Sequence, residues 1–215
     1  MKKKVLLTGF DPFGGESVNP SWEAVKRLNG ERVEDILIAA EQIPTVFHQS
    51  ADILEKAIAK HCPDIVICVG QAGGRPHMTP ERIAINIDDA RIPDNDGQEP
   101  IDEQIAAAGP AAYWSALPIK RIVKNMKESG IPASVSNSAG TFVCNHLFYR
   151  LMHYIDRSSS SMRGGFIHIP FLPEQTVDKK KPSLSLETIV KGLRIAALTA
   201  ANHETDIRET GGSLS

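Results

Sequence analysis

No excess of charge of either sign marks this chain: 24 lysines and arginines stand against 26 aspartates and glutamates in 215 residues, a net of −2. Outside two short runs, Lys2–Lys4 and Lys179–Lys181, basic residues form no cluster, so bulk electrostatics do not point to nucleic acid. Cysteine is scarce. Cys62, Cys68 and Cys144 have no paired spacing, which argues against a disulfide framework or a zinc knuckle. No apolar run approaches the roughly 18 residues of a membrane span, and the first ten residues enter a strand directly rather than a signal-peptide core. The expectation is a soluble, cytoplasmic protein. Glycines are frequent at strand ends, at Gly14–Gly15, Gly70, Gly73–Gly74 and Gly140, but neither GxxxxGK[ST] nor a GxGxxG between strand and helix occurs. The length suits one domain over 1–215, with a core that needs no covalent staple.

What is present is an alternation of apolar strands and amphipathic helices. Lys4–Phe10 is a continuous apolar strand of the kind buried on both faces of a parallel sheet. A Gly- and Pro-rich loop follows, then a helix with Asn19 as N-cap, Pro20 at its first position, Trp22, Val25 and Leu28 inward, and Gly30 at its end. A strand near Ile36–Ala40, a helix over Thr45–His61 and a strand over Asp64–Gly70 come next. This order predicts an α/β fold: a three-layer α/β/α sandwich whose open, twisted, mostly parallel sheet carries helices on both faces. Ligands of such sheets bind beyond the carboxyl ends of the strands. Three loops leave those ends, at Asp11–Gly15, Gln71–Pro80 and just before Cys144.

Further along, a strand is expected over Arg82–Ile87 and irregular chain from Ala90 to Pro118. A helix over Ile119–Ser129 precedes a short strand beginning at Ser134. Ser158–Ser161 reads as a solvated turn, Gly165–Pro170 as a strand, Glu174–Ser183 as an exposed, mobile connection and Ser185–Asn202 as the last helix. The tail from about Thr205 is expected to be disordered.

The chemistry centres on Cys144. After it, Leu147, Leu151 and Ile155 fall at the helical period, with Phe148 and Met152 alongside, so the thiol sits in the first turn of a half-buried helix. Unpaired N–H groups and the positive end of the helix dipole lie there, and both lower a thiol pKa. A cysteine nucleophile also needs a base and a group to orient it. His168, where an apolar strand hands over to a loop, is the best-placed base, and His77 stays open. His146 is two residues from Cys144 and points elsewhere. Glu81, between a strand-end loop and another apolar strand, leads the candidate carboxylates over Asp88, Asp89, Asp94 and Asp96. Phe10, Phe13 and Phe142 flank these loops and suit a flat, uncharged ligand group.

Three segments then read together: GFDPFGGESVNPSW at Gly9–Trp22, GQAGGRPHMTPERIAIN at Gly70–Asn86 and SNSAGTFVCN at Ser136–Asn145. With these motifs, and over essentially its whole length, the chain resembles the type I pyroglutamyl peptidases, a cysteine peptidase family. The resemblance implies a triad of Glu81, Cys144 and His168, the last carried by GFIHIPFLP. It implies removal of N-terminal pyroglutamyl groups from peptides through an acyl-enzyme, with no metal and no organic cofactor, in a homotetramer. Phe10, Phe13, Phe142 and Val143 would wall the ring, Gln71 would meet the lactam, and Arg91 would add positive charge near the thiolate.

Two alternatives stand beside this reading: a cysteine amidase acting on another small amide, and a phosphorylase-like nucleotide-binding protein using the glycine-rich strand ends. Thiol chemistry separates them. Cys144→Ser should abolish turnover of a pyroglutamyl amide while Cys62→Ser and Cys68→Ser retain it; an active Cys144→Ser enzyme would overturn the peptidase reading.

Overall fold

The computed structural model describes residues 3–158 and 161–212. Its central sheet is built from β1 (Lys3–Phe10), β2 (Arg32–Val33), β3 (Ile36–Ile43), β4 (Ile65–Gln71), β5 (Thr79–Pro80) and β8 (Arg163–Ile169). The spatial order is β2-β3-β1-β4-β8-β5. β3, β1, β4 and β8 run parallel, and the two-residue edges β2 and β5 are antiparallel. A separate two-stranded ribbon pairs β6 (Ile83–Ile85) with β7 (Ala112–Trp114).

Strand side chains alternate between two cores, which is why the inner strands are apolar throughout. Val5, Leu7, Ile65, Ile67 and Ile167 face one core with α1 (Pro20–Val25), α3 (Ile119–Glu128) and α5 (Leu186–Asn202). Leu6, Val66, Cys68 and Phe166 face the other with α2 (Gln49–His61) and α4 (Val143–Arg157). The result is the expected three layers, with helices on both faces of a mostly parallel sheet.

The Asp11–Pro20 loop is closed by its own polar residues. The Asn19 Oδ1 accepts from the Ser21 N–H at 3.0 Å and the Ser21 hydroxyl at 2.8 Å, while Ser21 Oγ accepts from the Phe10 N–H at 2.9 Å. Asn19 therefore caps α1 and ties it back to β1. A single turn of 3-10 helix, Lys26–Leu28, completes the turn-rich approach to Gly30.

Several expected boundaries move because tertiary bonds replace local ones. The helix expected from Thr45 starts only at Gln49. Before it, Thr45 N–H donates to Asp11 Oδ1 at 2.7 Å, Phe47 N–H donates to Asp94 Oδ2 at 2.9 Å, and His48 sits at φ 58. The strand expected from Ser134 is reduced to isolated parallel bridges, Met78 with Ala133 and Glu81 with Ser136. The strand expected over Arg82–Ile87 shortens to β6, and its partner β7 lies inside the stretch expected to be irregular. Glu174–Ser183 is anchored rather than loose: Gln175 is buried and donates to Gln71 Oε1 at 3.0 Å. Residues 205–212 of the tail also pack, with Asp206 accepting from the Lys120 and Arg121 N–H groups at 2.9 Å and the Gly211 carbonyl accepting from Arg82. Ser213–Ser215, and Ser159–Ser160 of the expected turn, lie outside the described residues.

α1 crosses β1 so closely at Gly9 that an added Cβ would stand 2.6 Å from the backbone of Ser21 and Trp22. Backbone cannot step aside as a side chain can. Gly9→Ala should therefore cost about 1–3 kcal/mol, the usual scale of overpacking, read as a lower urea midpoint at unchanged slope.

Candidate active site

Cys144 is the second residue of α4, whose cap residue Phe142 makes no side-chain capping bond. The first backbone N–H groups of the helix, those of Val143 and Cys144 among them, have no partner within it. The turn leading in bends at Gly140, φ 77, and is braced by Thr141, which donates to the Asp89 carbonyl at 2.8 Å and accepts from the Asp89 N–H at 2.9 Å. Asn145, fully buried, exchanges bonds with the backbone of Ile85 and Ile87, fixing the helix start to the β6 ribbon. The thiol lies over β4 at Gly70, where a Cβ would stand 2.8 Å from Cys144 Sγ. A side chain there would displace the sulfur.

His168 is the penultimate residue of β8 and faces the same side of the sheet as Phe166, toward α4. β5 pairs Thr79 with His168 and Pro80 with Ile167, and the next residue, Glu81, donates its N–H to the Phe166 carbonyl at 2.9 Å. This short edge pairing delivers the carboxylate. Glu81 Oε1 lies 2.7 Å from His168 Nδ1 and 2.5 Å from Arg75 Nη1, with the Glu81 side chain wholly buried. Burial raises the Glu81 pKa, but the His168 hydrogen bond and charge, then Arg75 and the Ser136 hydroxyl, outweigh it and hold the carboxyl below its ordinary value. An ionised Glu81 accepts the Nδ1 proton and leaves His168 Nε2 as the basic nitrogen.

The expected lowering of the thiol pKa is reversed. Desolvation, followed by the negative charge of Glu81 and with Cys68 as a lesser contribution, pushes Cys144 up to about 12, against the pull of Arg75. The helix N-terminus acts in the opposite, favourable direction.

A cavity of about 450 Å³ gathers Cys144, His168, Phe13, Gln71, Arg75, Arg91 and Phe142. All three strand-end loops contribute, together with Asp89, Arg91 and Ile92 of the long loop. Two expected substrate-binding residues, Phe10 and Val143, are not among those lining the cavity. Phe10 is a core residue, 1 % exposed and tilted against the Phe166 ring at 6.4 Å, because its position on β1 turns it under α4. Val143 is likewise buried in that core and can offer the cavity only its backbone. Phe142 is held by Phe47 at 5.3 Å edge-on and by Phe13 at 6.2 Å. His146 does point away: its Nδ1 meets Asp88 Oδ2 at 2.7 Å and its Nε2 accepts from the His48 N–H at 3.1 Å. His77 lies outside the cavity.

Sequence reasoning missed Arg75. It assigned the cation to Arg91, which lines the cavity, whereas Arg75 makes the contact with Glu81. The only signal available was an arginine six residues before a candidate carboxylate. The turn that brings it back passes through Gly74 at φ 100.

The pyroglutamyl peptidase family model matches residues 3–203. The chain is 80% identical over 215 residues to a pyrrolidone-carboxylate peptidase of Bacillus licheniformis, covering 100% of both chains. It is 65% identical over 214 residues to the enzyme of that name from Bacillus subtilis, again covering both fully. The crystal structure of pyroglutamyl peptidase I from Bacillus amyloliquefaciens superposes with a TM-score of 0.96 at 66% identity, covering 98% of this chain and 100% of that one. A pyrrolidone carboxyl peptidase from Thermococcus litoralis does so at 0.93 with 37% identity, covering 97% and 99%. Motifs, fold and full-length similarity agree: the chain belongs to the pyroglutamyl peptidase family, a family of cysteine peptidases.

Proposed function

We propose that this enzyme removes N-terminal pyroglutamyl groups from peptides, with Cys144 as nucleophile, His168 as proton carrier and Glu81 as the group that orients it. The observation carrying the proposal is the 2.7 Å Glu81–His168 pair, whose imidazole lines the same cavity as Cys144. The base takes the thiol proton as the sulfur attacks. The Sγ–C bond forms and the carbonyl oxygen becomes an oxyanion, held by backbone N–H groups at the start of α4. As the C–N bond breaks, His168 gives its proton to the leaving amine. Water, deprotonated by His168, then attacks the thioester, and the thiol departs with the returned proton. Glu81 stays ionised throughout and supports the imidazolium.

The pyroglutamyl ring is small, flat and neutral, with one lactam N–H and one lactam carbonyl. Phe13 and Phe142 supply apolar walls and Gln71 an amide partner; Val143 contributes backbone only. A pocket bonding both lactam groups rejects proline, which lacks the carbonyl, because buried polar groups would be left unpaired. It rejects N-terminal glutamine because an ammonium would lose its water.

The homotetramer and the cytoplasmic location belong to the same proposal. Among the described residues no helix is long and apolar enough to cross a membrane. Ile92, Ile101, Trp114 and Val177 are large apolar side chains left exposed, Ile101 at 72% and Val177 at 80%. The first three lie in the long Ala90–Pro118 segment and the fourth in the Glu174–Ser183 connection, which makes these two segments the candidate interfaces.

Three measurements test this. Glu81→Gln should lower kcat by about 10⁴-fold, the scale seen when a triad carboxylate is neutralised, with little change in KM; an unimpaired variant would remove Glu81 from the mechanism. Phe13→Ala should raise KM for a pyroglutamyl amide about tenfold or more, as loss of an apolar wall does, and an unchanged KM would defeat the wall assignment. Trp114→Glu combined with Ile101→Glu should shift sedimentation toward smaller species; an unaltered assembly would place the interface elsewhere.

A further inference from the structure

Arg75 takes no part in the chemistry above, yet its guanidinium is bonded at three places. Nη1 donates to Glu81 Oε1 at 2.5 Å and to Thr79 Oγ1 at 2.8 Å, and Nη2 donates to the Ser138 carbonyl at 2.9 Å. Thr79 belongs to β5, the edge strand that pairs with His168. Glu81 is the carboxylate beside that histidine. Ser138 belongs to the turn that leads into Cys144. One planar cation thus spans the elements that carry all three members of the site.

We propose that Arg75 is a positioning residue for catalysis: its fork holds Glu81 ionised and aligned on His168, and clamps the Ser138–Gly140 turn so that Cys144 meets both. This inference rests on the assignment of Glu81, Cys144 and His168 made above. A carboxylate with no exposed surface needs an opposite charge close by to stay ionised, and Glu81 Oε1 receives both Arg75 and His168. Arg75 also compensates the thiol. The charged and titratable groups facing Cys144 are Glu81, His168, Arg75 and Cys68, with Asp89 and Arg91 lining the same cavity. Of those acting on its ionisation, Glu81 and Cys68 oppose the thiolate and Arg75 favours it. Lysine would keep the charge but, as a point donor, would not bridge a carboxylate and a carbonyl in fixed geometry.

The test compares Arg75→Gln, Arg75→Lys and Cys144→Ala in the full chain, by steady-state kinetics on a pyroglutamyl amide and, where the thiol remains, by its rate of alkylation with iodoacetamide against pH. Arg75→Gln should lower the alkylation rate about tenfold at each pH below the thiol pKa, because removing a nearby opposite charge raises that pKa by about one unit. Its kcat should fall about 10²-fold, the scale of a small misplacement of reacting groups, with KM changed far less. Arg75→Lys should restore the alkylation curve and leave kcat depressed. A purely structural role would lower thermal stability without moving that curve. Wild-type kcat and alkylation in Arg75→Gln would overturn the proposal; if that variant fails to fold, wild-type kcat in Arg75→Lys would do so. Turnover by Cys144→Ala would sink the underlying triad, whereas an inactive Cys144→Ala beside a fully active Arg75→Gln would remove the positioning role alone.

Discussion

A carboxylate buried without water is the constraint on which this site depends. Glu81 has no exposed side-chain surface, and an isolated charge there would be strongly unfavourable. His168 and Arg75 both bond to the same oxygen, and together they bring the carboxyl below its ordinary pKa despite its burial. Removing one partner of such a buried arrangement costs about 3–5 kcal/mol, because the other charge is left uncompensated. The two-residue strand β5 therefore matters beyond its length. Its pairing with β8 sets Thr79 beside His168 and hands Glu81 to the imidazole.

The same burial acts on the Cys144 thiol. Cys144 sits at a helix start, where dipole and free N–H groups favour negative charge. Desolvation and the Glu81 carboxylate act against that, while Arg75 acts with it. The two effects are not in conflict functionally. In the proposed reaction, the N–H groups at the start of α4 and the buried Glu81 would act on charge that develops on the oxyanion and on the imidazolium. Gly70 leaves the space in which the sulfur sits, so the floor of the site is backbone rather than side chain.

Much of this was legible in the chain itself. Uninterrupted apolar runs such as Ile65–Gly70 need two covered faces, which implies helices above and below a parallel sheet. Asn19–Pro20 and Ser185 start their helices by local hydrogen bonding, so α1 and α5 could be placed closely. Where long-range bonds decide, local signals failed. Phe47 and His48 look helical but are held out of α2 by Asp94 and His146. The residues after Thr205 carry no apolar pattern, yet Asp206 finds the unpaired N–H groups at the start of α3.

The site divides along the same line. Glu81, Cys144 and His168 stand out as candidates at strand or helix ends, and the family resemblance is what joins them as a proposed triad. Phe13, Phe142 and Gln71 followed from the loops that carry them. Which aromatic faces the cavity was not a local property: Phe10 and Phe13 are three residues apart, and only the register of β1 against its neighbours sends Phe10 into the core. The sequence by itself determined the layers, the strand-end loops and the candidate reacting groups, since these depend on period and on residue chemistry. Only the tertiary structure decided the cation on Glu81, the groups that act on the thiol and which aromatics line the cavity. Those depend on desolvation and on contacts between residues far apart in the chain, and no local pattern encodes either.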